Sequence, residues 1–215
     1  LEVNDRIQEF SSASSGSSEV AGTVRVALTE SIAVYGLMAA LEQLLARHPK
    51  LCVRLVNSMN VSDLGRREAD IAVRFVRTTR GDLVSKRVAQ LPNGLWGHRQ
   101  WLHAAWEELE WVGLDTDTGQ SSARVWMQTH AMRPPRVTTN GFIGMVEAIR
   151  QGLGVGIISD ALGDGLPELV RIPSPAPPAP TPIFLVAHRA SRHVPKIDAV
   201  WRFLEAYLAT LAPPG

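Results

Sequence analysis

With Cys52 as its only cysteine, this 215-residue chain has no internal disulfide and no thiolate zinc cluster. No apolar run approaches the roughly 20 residues that a membrane-spanning helix needs. The N-terminus is charged and then serine-rich, without the apolar core of a secretion signal. Charge of one sign is lacking too: 22 basic residues face 21 acidic ones, for a formal charge of +1. A chain that grips nucleic acid by itself usually carries a basic face or tail. Two nucleotide and hydrolase signatures, G-x-x-x-x-G-K-[ST] and G-x-S-x-G, are missing. These absences leave a soluble chain in the reducing cytoplasm as the expectation, with no membrane partner. The composition, 45% hydrophobic and 20% charged, is that of a folded domain.

Val3, Ile7 and Phe10 form one helical stripe, and the serine-rich stretch from Ser11 to Ser18 breaks any period. Residues 1–20 therefore read as the end of a helix and a flexible tether. The chain begins at Leu1 and not Met, so a longer natural protein is expected.

Beyond the tether, strands alternate with helices. Val24, Val26 and Leu28 mark a first strand. Ser31 is a plausible cap for a helix carrying Val34, Leu37, Met38, Leu41 and Leu45, which Pro49 ends. Leu51 to Val56 reads as a second strand, 60–66 as a short helix, and Asp70 to Phe75 as a buried parallel strand. A similar pattern then restarts, with strands at 94–96, 111–114, 136–139 and 155–158 and a further one at 169–172. Helices are expected near 99–105, 122–130 and from Asn140-Gly141, the last presenting Met145, Ala148 and Ile149 inward. Pro173 to Pro182 lacks most backbone donors and is irregular. A strand at 183–187 and a closing helix over 194–210 follow.

Such alternation argues for parallel sheets covered by helices, an α/β chain. Two successive α/β units suggest two Rossmann-like lobes, with 21–89 and 183–215 forming lobe I and 90–182 forming lobe II. Crossover strands would then join the halves of a hinged clam. One continuous sheet fits the same periodicity.

In open parallel sheets, ligands bind beyond the carboxyl ends of the strands, where helix N-termini also point. Two turns fit: Thr29-Glu30-Ser31 after the first strand, and Thr139-Asn140-Gly141-Phe142 in the second lobe. Hydroxyls, an amide and a glycine suit a small polar ligand, although each is equally at home as a helix cap. Arg74 and Phe75, ending the third strand, would add a charged donor and an apolar wall. Trp96, just past the expected hinge, would line the cleft, while the other tryptophans of the second lobe pack its core.

No catalytic residue or metal set emerges, and no cofactor is expected. Gly152, Gly154 and Gly156 follow a helix and precede a strand, the reverse of a dinucleotide loop. They read as helix termination and close packing. His98 and His103 are five apart and do not share a helical face. Asp115 and Asp117 read as turn residues. Cys52 reads as buried packing.

The order of short motifs resembles the effector-binding domain of LysR-type transcriptional regulators. Gly22-Thr23-Val24-Arg25-Val26, Thr29-Glu30-Ser31 and Arg47-His48-Pro49 match its opening. Asp63-Leu64 followed by Arg66-Arg67-Glu68-Ala69-Asp70-Ile71-Ala72-Val73-Arg74 is the most specific stretch. Gly152 to Ile157, the Gly163-Asp164 turn and Trp201-Arg202-Phe203-Leu204 complete a resemblance spanning Ala21 to Leu208.

The resemblance implies a fold like the type 2 periplasmic binding proteins and a small-molecule effector held at Thr29, Glu30, Ser31, Arg74, Phe75, Trp96, Asn140, Gly141 and Phe142. It implies a homodimer or tetramer, and contact with DNA only through an N-terminal winged helix-turn-helix that this sequence does not contain. An exported solute-binding protein of the same fold is the alternative. An enzyme with a bilobal cleft would need a convergent acid/base pair, and none is evident.

Overall fold

The computed structural model describes residues 20–57, 69–115 and 122–212. Contacts divide the chain into two compact units, residues 1–89 with 182–210 and residues 90–181 with 211–215.

The first unit is built on β1 (Gly22–Leu28), whose Val24, Val26, Ala27 and Leu28 are all buried. Glu30–Ile32 (α1) opens a helix that is interrupted before it resumes as α2 (Met38–Arg47). The sequence suggests one continuous helix here. The break falls at Tyr35 (φ −90°, ψ 41°) and Gly36 (φ 141°). A side chain at Gly36 would be strained in that backbone and would strike the Tyr207 hydroxyl, so glycine alone fits the kink.

β2 (Leu51–Asn57) runs parallel to β1 in register, Gly22 opposite Leu51 and Leu28 opposite Asn57. β3 (Ile71–Arg74) lies parallel on the other side of β1. β4 (Leu83–Leu91) and β10 (Thr181–His188) complete a five-stranded sheet in the order β2-β1-β3-β10-β4. β10 is antiparallel to β3, with Leu185 opposite Val73. The closing helix, α6 (Pro195–Thr210), buries Ile197, Val200, Trp201, Leu204 and Leu208 against this unit. Its spacing is that of one helical face, as the sequence suggests. The short helix expected over 60–66 lies outside the described residues.

The second unit holds β5 (Asn93–His98), antiparallel to both β8 (Val155–Ser159) and β9 (Leu169–Arg171). A separate parallel pair joins β6 (Val112–Leu114) to β7 (Val137–Thr139). Helices α3 (Ser122–His130), α4 (Phe142–Arg150) and the short α5 (Asp160–Asp164) accompany them. Met145, Ala148 and Ile149 of α4 are buried, as its periodicity predicts. The described strands thus form three separate sheets, which sets aside the single continuous sheet.

Two further expectations are corrected. The helix expected over 99–105 is instead one 3₁₀ turn, Arg99–Trp101, and a second turn follows at Trp106–Glu108. Their tryptophans are anchored separately, Trp101 donating to Gly152 O and Trp106 to His130 O, at 3.0 and 3.1 Å. Those anchors, together with a core of Leu95, Leu109, Trp111, Trp126, Val155 and Ile157, override helical propensity. Cys52 is exposed and not buried, because β2 is an edge strand with one face left open.

The glycine run after α4 acts as the sequence suggests. Gly152 takes φ 76° and its amide donates to Ile149 O, while Leu153 N reaches back to Ala148 O. A methyl group on Gly154 would sit 2.6 Å from the Glu110 carbonyl oxygen, the acceptor of Val155 N. Gly154→Ala is therefore expected to destabilise the domain by about 1–3 kcal/mol, read as a lower denaturation midpoint. A change within 0.3 kcal/mol, on the order of a surface substitution, would show that this contact relaxes freely.

Ion pairs tie α6 to its surroundings. Arg192 beside Asp198 holds that carboxyl below its ordinary 3.8, and Lys86 does the same for Glu205, whose ordinary value is 4.5. In the second unit Arg150 lowers Glu168 likewise. A carboxyl whose folded value is depressed contributes stability above its unfolded value and loses it as the pH falls through the folded one. Thermal midpoints should thus decline once the pH drops below about 4.5. Asp198→Asn should melt earlier than wild type at pH 7 and converge with it at low pH. Parallel midpoint curves for the two proteins would contradict that assignment.

Candidate functional site

In the first unit the site begins where β1 ends. Thr29 leaves the strand with extended backbone (φ −75°, ψ 144°) and is itself the cap residue of α1, a place the sequence suggests for Ser31. Its side chain makes no capping bond. Instead, Thr29 Oγ1 and Ser31 Oγ lie 3.1 Å apart, close enough that one donates to the other. A hydroxyl pair sharing one hydrogen still has a second O–H to direct outward, with lone pairs besides. Thr29 and Ser31 are half-buried and Glu30 is exposed.

Arg74 sits beneath this turn, not out at its edge. Sequence reasoning gives it to a ligand as an open donor, yet it is 2% exposed. Its Nη1 donates to Ala27 O at 3.3 Å and to Val73 O at 3.0 Å. Burying a guanidinium demands such acceptors. The result is a brace between the end of β3 and the last turn-proximal residues of β1. Phe75, one residue on, is half-buried.

In the second unit, β7 ends at Thr139 and α4 begins at Phe142. Gly141 is the cap residue (φ −117°, ψ 131°) and no side chain caps this helix. Asn140 and Gly141 are exposed, Phe142 is half-buried, and nothing lies within 4 Å of where a Gly141 side chain would project. The turn is fixed from within by Thr139 Oγ1, which donates to Gly141 O at 2.8 Å. A helix start with no side-chain cap presents its first amides to an incoming acceptor, and the dipole favours negative charge there.

Trp96 is placed differently from its sequence-based role. It is 4% exposed within the second unit, its indole donating to Asp160 Oδ1 at 3.1 Å. Gly163 lies flat against the ring, where a Cβ would come within 2.3 Å. Asp160 is held in turn by Arg171 at 3.2 Å. Thr29, Ser31 and Arg74 are thus gathered at one end of β1, Thr139 to Phe142 form the second turn, and Trp96 is committed to packing against α5. Thr139, which sequence reasoning places in the second turn, fixes that turn from within. The Asp160–Arg171 pair is the supporting group it left out, and nothing local marks it.

Among the described residues no group of three or more His, Cys, Asp or Glu side chains could hold a metal. His98 is instead occupied locally, Nδ1 accepting from Gln100 N at 3.4 Å. No helix among those residues is long and apolar enough to cross a membrane.

The sheet orders and the placing of the helices define a mixed α/β fold of the type 2 periplasmic-binding-protein kind. Residues 17–209 match the family described as the LysR substrate binding domain. The chain belongs to that family, and its fold is that of the effector-binding domain of LysR-type regulators. Among solved structures it is similar to CrgA, a LysR-type transcriptional regulator from Neisseria meningitidis. That likeness has a TM-score of 0.76 at 15% identity, covering 96% of this chain and 76% of CrgA. The effector domain of the transcriptional regulator AmpR of Pseudomonas aeruginosa gives 0.69 at 19%, covering 89% and 97% of the two chains. The reduced form of the OxyR2 regulatory domain from Vibrio vulnificus also gives 0.69 at 19%, covering 92% and 99%. At these identities the structures speak to fold. Comparison with curated protein sequences gives no match.

Proposed function

We propose that this domain senses a small polar or aromatic metabolite, with a carboxylate the best-suited group, and that the turns at 29–31 and 140–142 are its candidate contact points. The observation that carries the reading is the chemistry left over at each turn. Thr29 and Ser31 bond to each other and not to their helix, and α4 starts without a side-chain cap. Groups that a structural role would consume are thereby left for a ligand. Arg74 and Trp96 act as positioning residues, bracing the first turn and packing the second unit, while Phe75 and Phe142 offer apolar surface.

In this reading the ligand acts by favouring one arrangement of subunits in a homodimer or tetramer. A winged helix-turn-helix outside this sequence reports that arrangement to DNA. An effector can shift the population only by its differential affinity, typically ~1–3 kcal/mol of coupling. The test is a metabolite panel screened by thermal shift. At least one carboxylate should raise the midpoint in a saturable way, and Asn140→Ala should abolish most of that rise. A panel without a stabilising compound, or turnover of one, would overturn the reading.

A further inference from the structure

A concavity lies at the end of the first unit's sheet away from Thr29. It encloses about 430 Å³ and is lined by the loop Arg77-Thr78-Thr79-Arg80-Gly81, the start of β4 at Leu83 to Ser85, and Arg189. Its place follows from strand register. Ala187 near the end of β10 pairs with Ile71, the first residue of β3, and Arg189 N donates to Asp82 O. The concavity thus sits by the N-terminal end of β3. Thr29 follows the C-terminal end of the parallel strand β1.

The lining is chemically one-sided. Three guanidinium side chains and three hydroxyls, those of Thr78, Thr79 and Ser85, surround it, and no carboxylate is among them. No ion pair involves Arg77, Arg80 or Arg189 among the described residues, whereas the nearby Asp82 carboxylate faces His188 at 3.5 Å. Arginine keeps its charge at any physiological pH, so three of them around one hollow repel unless an anion joins them. Ser85 Oγ is buried with no hydrogen-bond partner. A bound oxyanion offers that hydroxyl an acceptor once its rotamer turns toward the hollow.

We infer that this concavity is an oxyanion site, taking phosphate, free or as a monoester, between the arginine forks of Arg77, Arg80 and Arg189. Guanidinium groups match phosphate oxygens in paired geometry, and the threonine hydroxyls complete the set of donors. Because all three arginines are exposed, binding is weak and falls with added salt.

The experiment is calorimetric titration of the whole chain with inorganic phosphate and, separately, phenyl phosphate, at constant ionic strength. Saturable heat from one site is expected. Phosphate binding as tight as the ester marks a free-anion site, and tighter ester binding a monoester site. The combined Arg77→Ala, Arg80→Ala, Arg189→Ala protein should bind at least tenfold more weakly with an unchanged circular dichroism spectrum. The corresponding three-lysine protein keeps the charge but not the paired geometry, so it should bind more weakly than wild type and more tightly than the three-alanine protein. Thr29→Val with Ser31→Ala should leave phosphate binding untouched, which separates this site from the proposed effector turns. The inference is overturned by heat that does not saturate, by equal binding in the three-alanine protein, or by loss of binding in the Thr29 and Ser31 variant. Displacement of phosphate by duplex DNA at the same ionic strength would also overturn it, marking the surface as a nucleic-acid contact.

Discussion

Trp201→Ala is expected to cost about 3–5 kcal/mol of folding stability, the range for truncating a fully buried aromatic. Trp201 is 1% exposed, in the middle of the buried face of α6. Its indole donates to Glu205 Oε2 at 3.2 Å, and the Arg192 guanidinium lies 4.3 Å above the ring. Truncation leaves a cavity and also loosens the group of ion pairs at Arg192, Asp198 and Glu205. Domains are stable by only ~5–15 kcal/mol, so much of the reserve would go. Arg192→Ala, which keeps the indole, should cost nearer 1–2 kcal/mol, the order of a partly desolvated cation–π contact and an ion pair. Urea denaturation followed by circular dichroism separates the two. A loss below about 1 kcal/mol for Trp201→Ala, the typical size of an ordinary substitution, would mean that α6 is not pinned to the sheet through this residue.

The second large effect concerns the hydroxyl pair. Thr29→Val combined with Ser31→Ala should weaken binding of a stabilising carboxylate by roughly 10–100-fold, the equivalent of one lost hydrogen bond to a charged group. Neither side chain caps α1, so the same change should alter folding stability by less than about 1 kcal/mol, the usual cost of losing a cap. That contrast makes the variant informative. A protein that loses stability and binding together would assign these hydroxyls to structure. One that keeps both would remove the first turn from the site.

Much of this architecture is legible in the residues because hydrophobic period and burial agree. Val24, Val26 and Leu28, the run Ile71-Ala72-Val73, and the α6 face from Ile197 to Leu208 each announce their element and are buried. β4 was not legible. It is the sheet's other edge, and Lys86 and Arg87 stand exposed in its middle, which masks the alternation while blunting the edge against unwanted pairing. Cys52 misled for the related reason that burial of an edge strand depends on neighbours the local sequence does not name. The two 3₁₀ turns at 99–108 are set by long-range anchors, Gly152 O and His130 O, that no window of ten residues contains.

The candidate site was legible as residue types at strand ends, and less so as geometry. Short polar residues after β1 and β7 follow from the general placement of ligands in parallel sheets. That Thr29 and Ser31 face each other is a matter of one rotamer apiece. Arg74 illustrates the limit: a charge at a strand end reads as exposed, yet the carbonyls of Ala27 and Val73 hold it inside. Trp96 shows the converse, since an aromatic given to a ligand on sequence grounds is claimed by Asp160 and by the flat face of Gly163.

The most direct test of the account is amide hydrogen exchange with and without a stabilising carboxylate. Ligand should slow exchange at 29–32, the turn that carries the hydroxyl pair. Unchanged exchange there while the midpoint still rises would contradict the assignment.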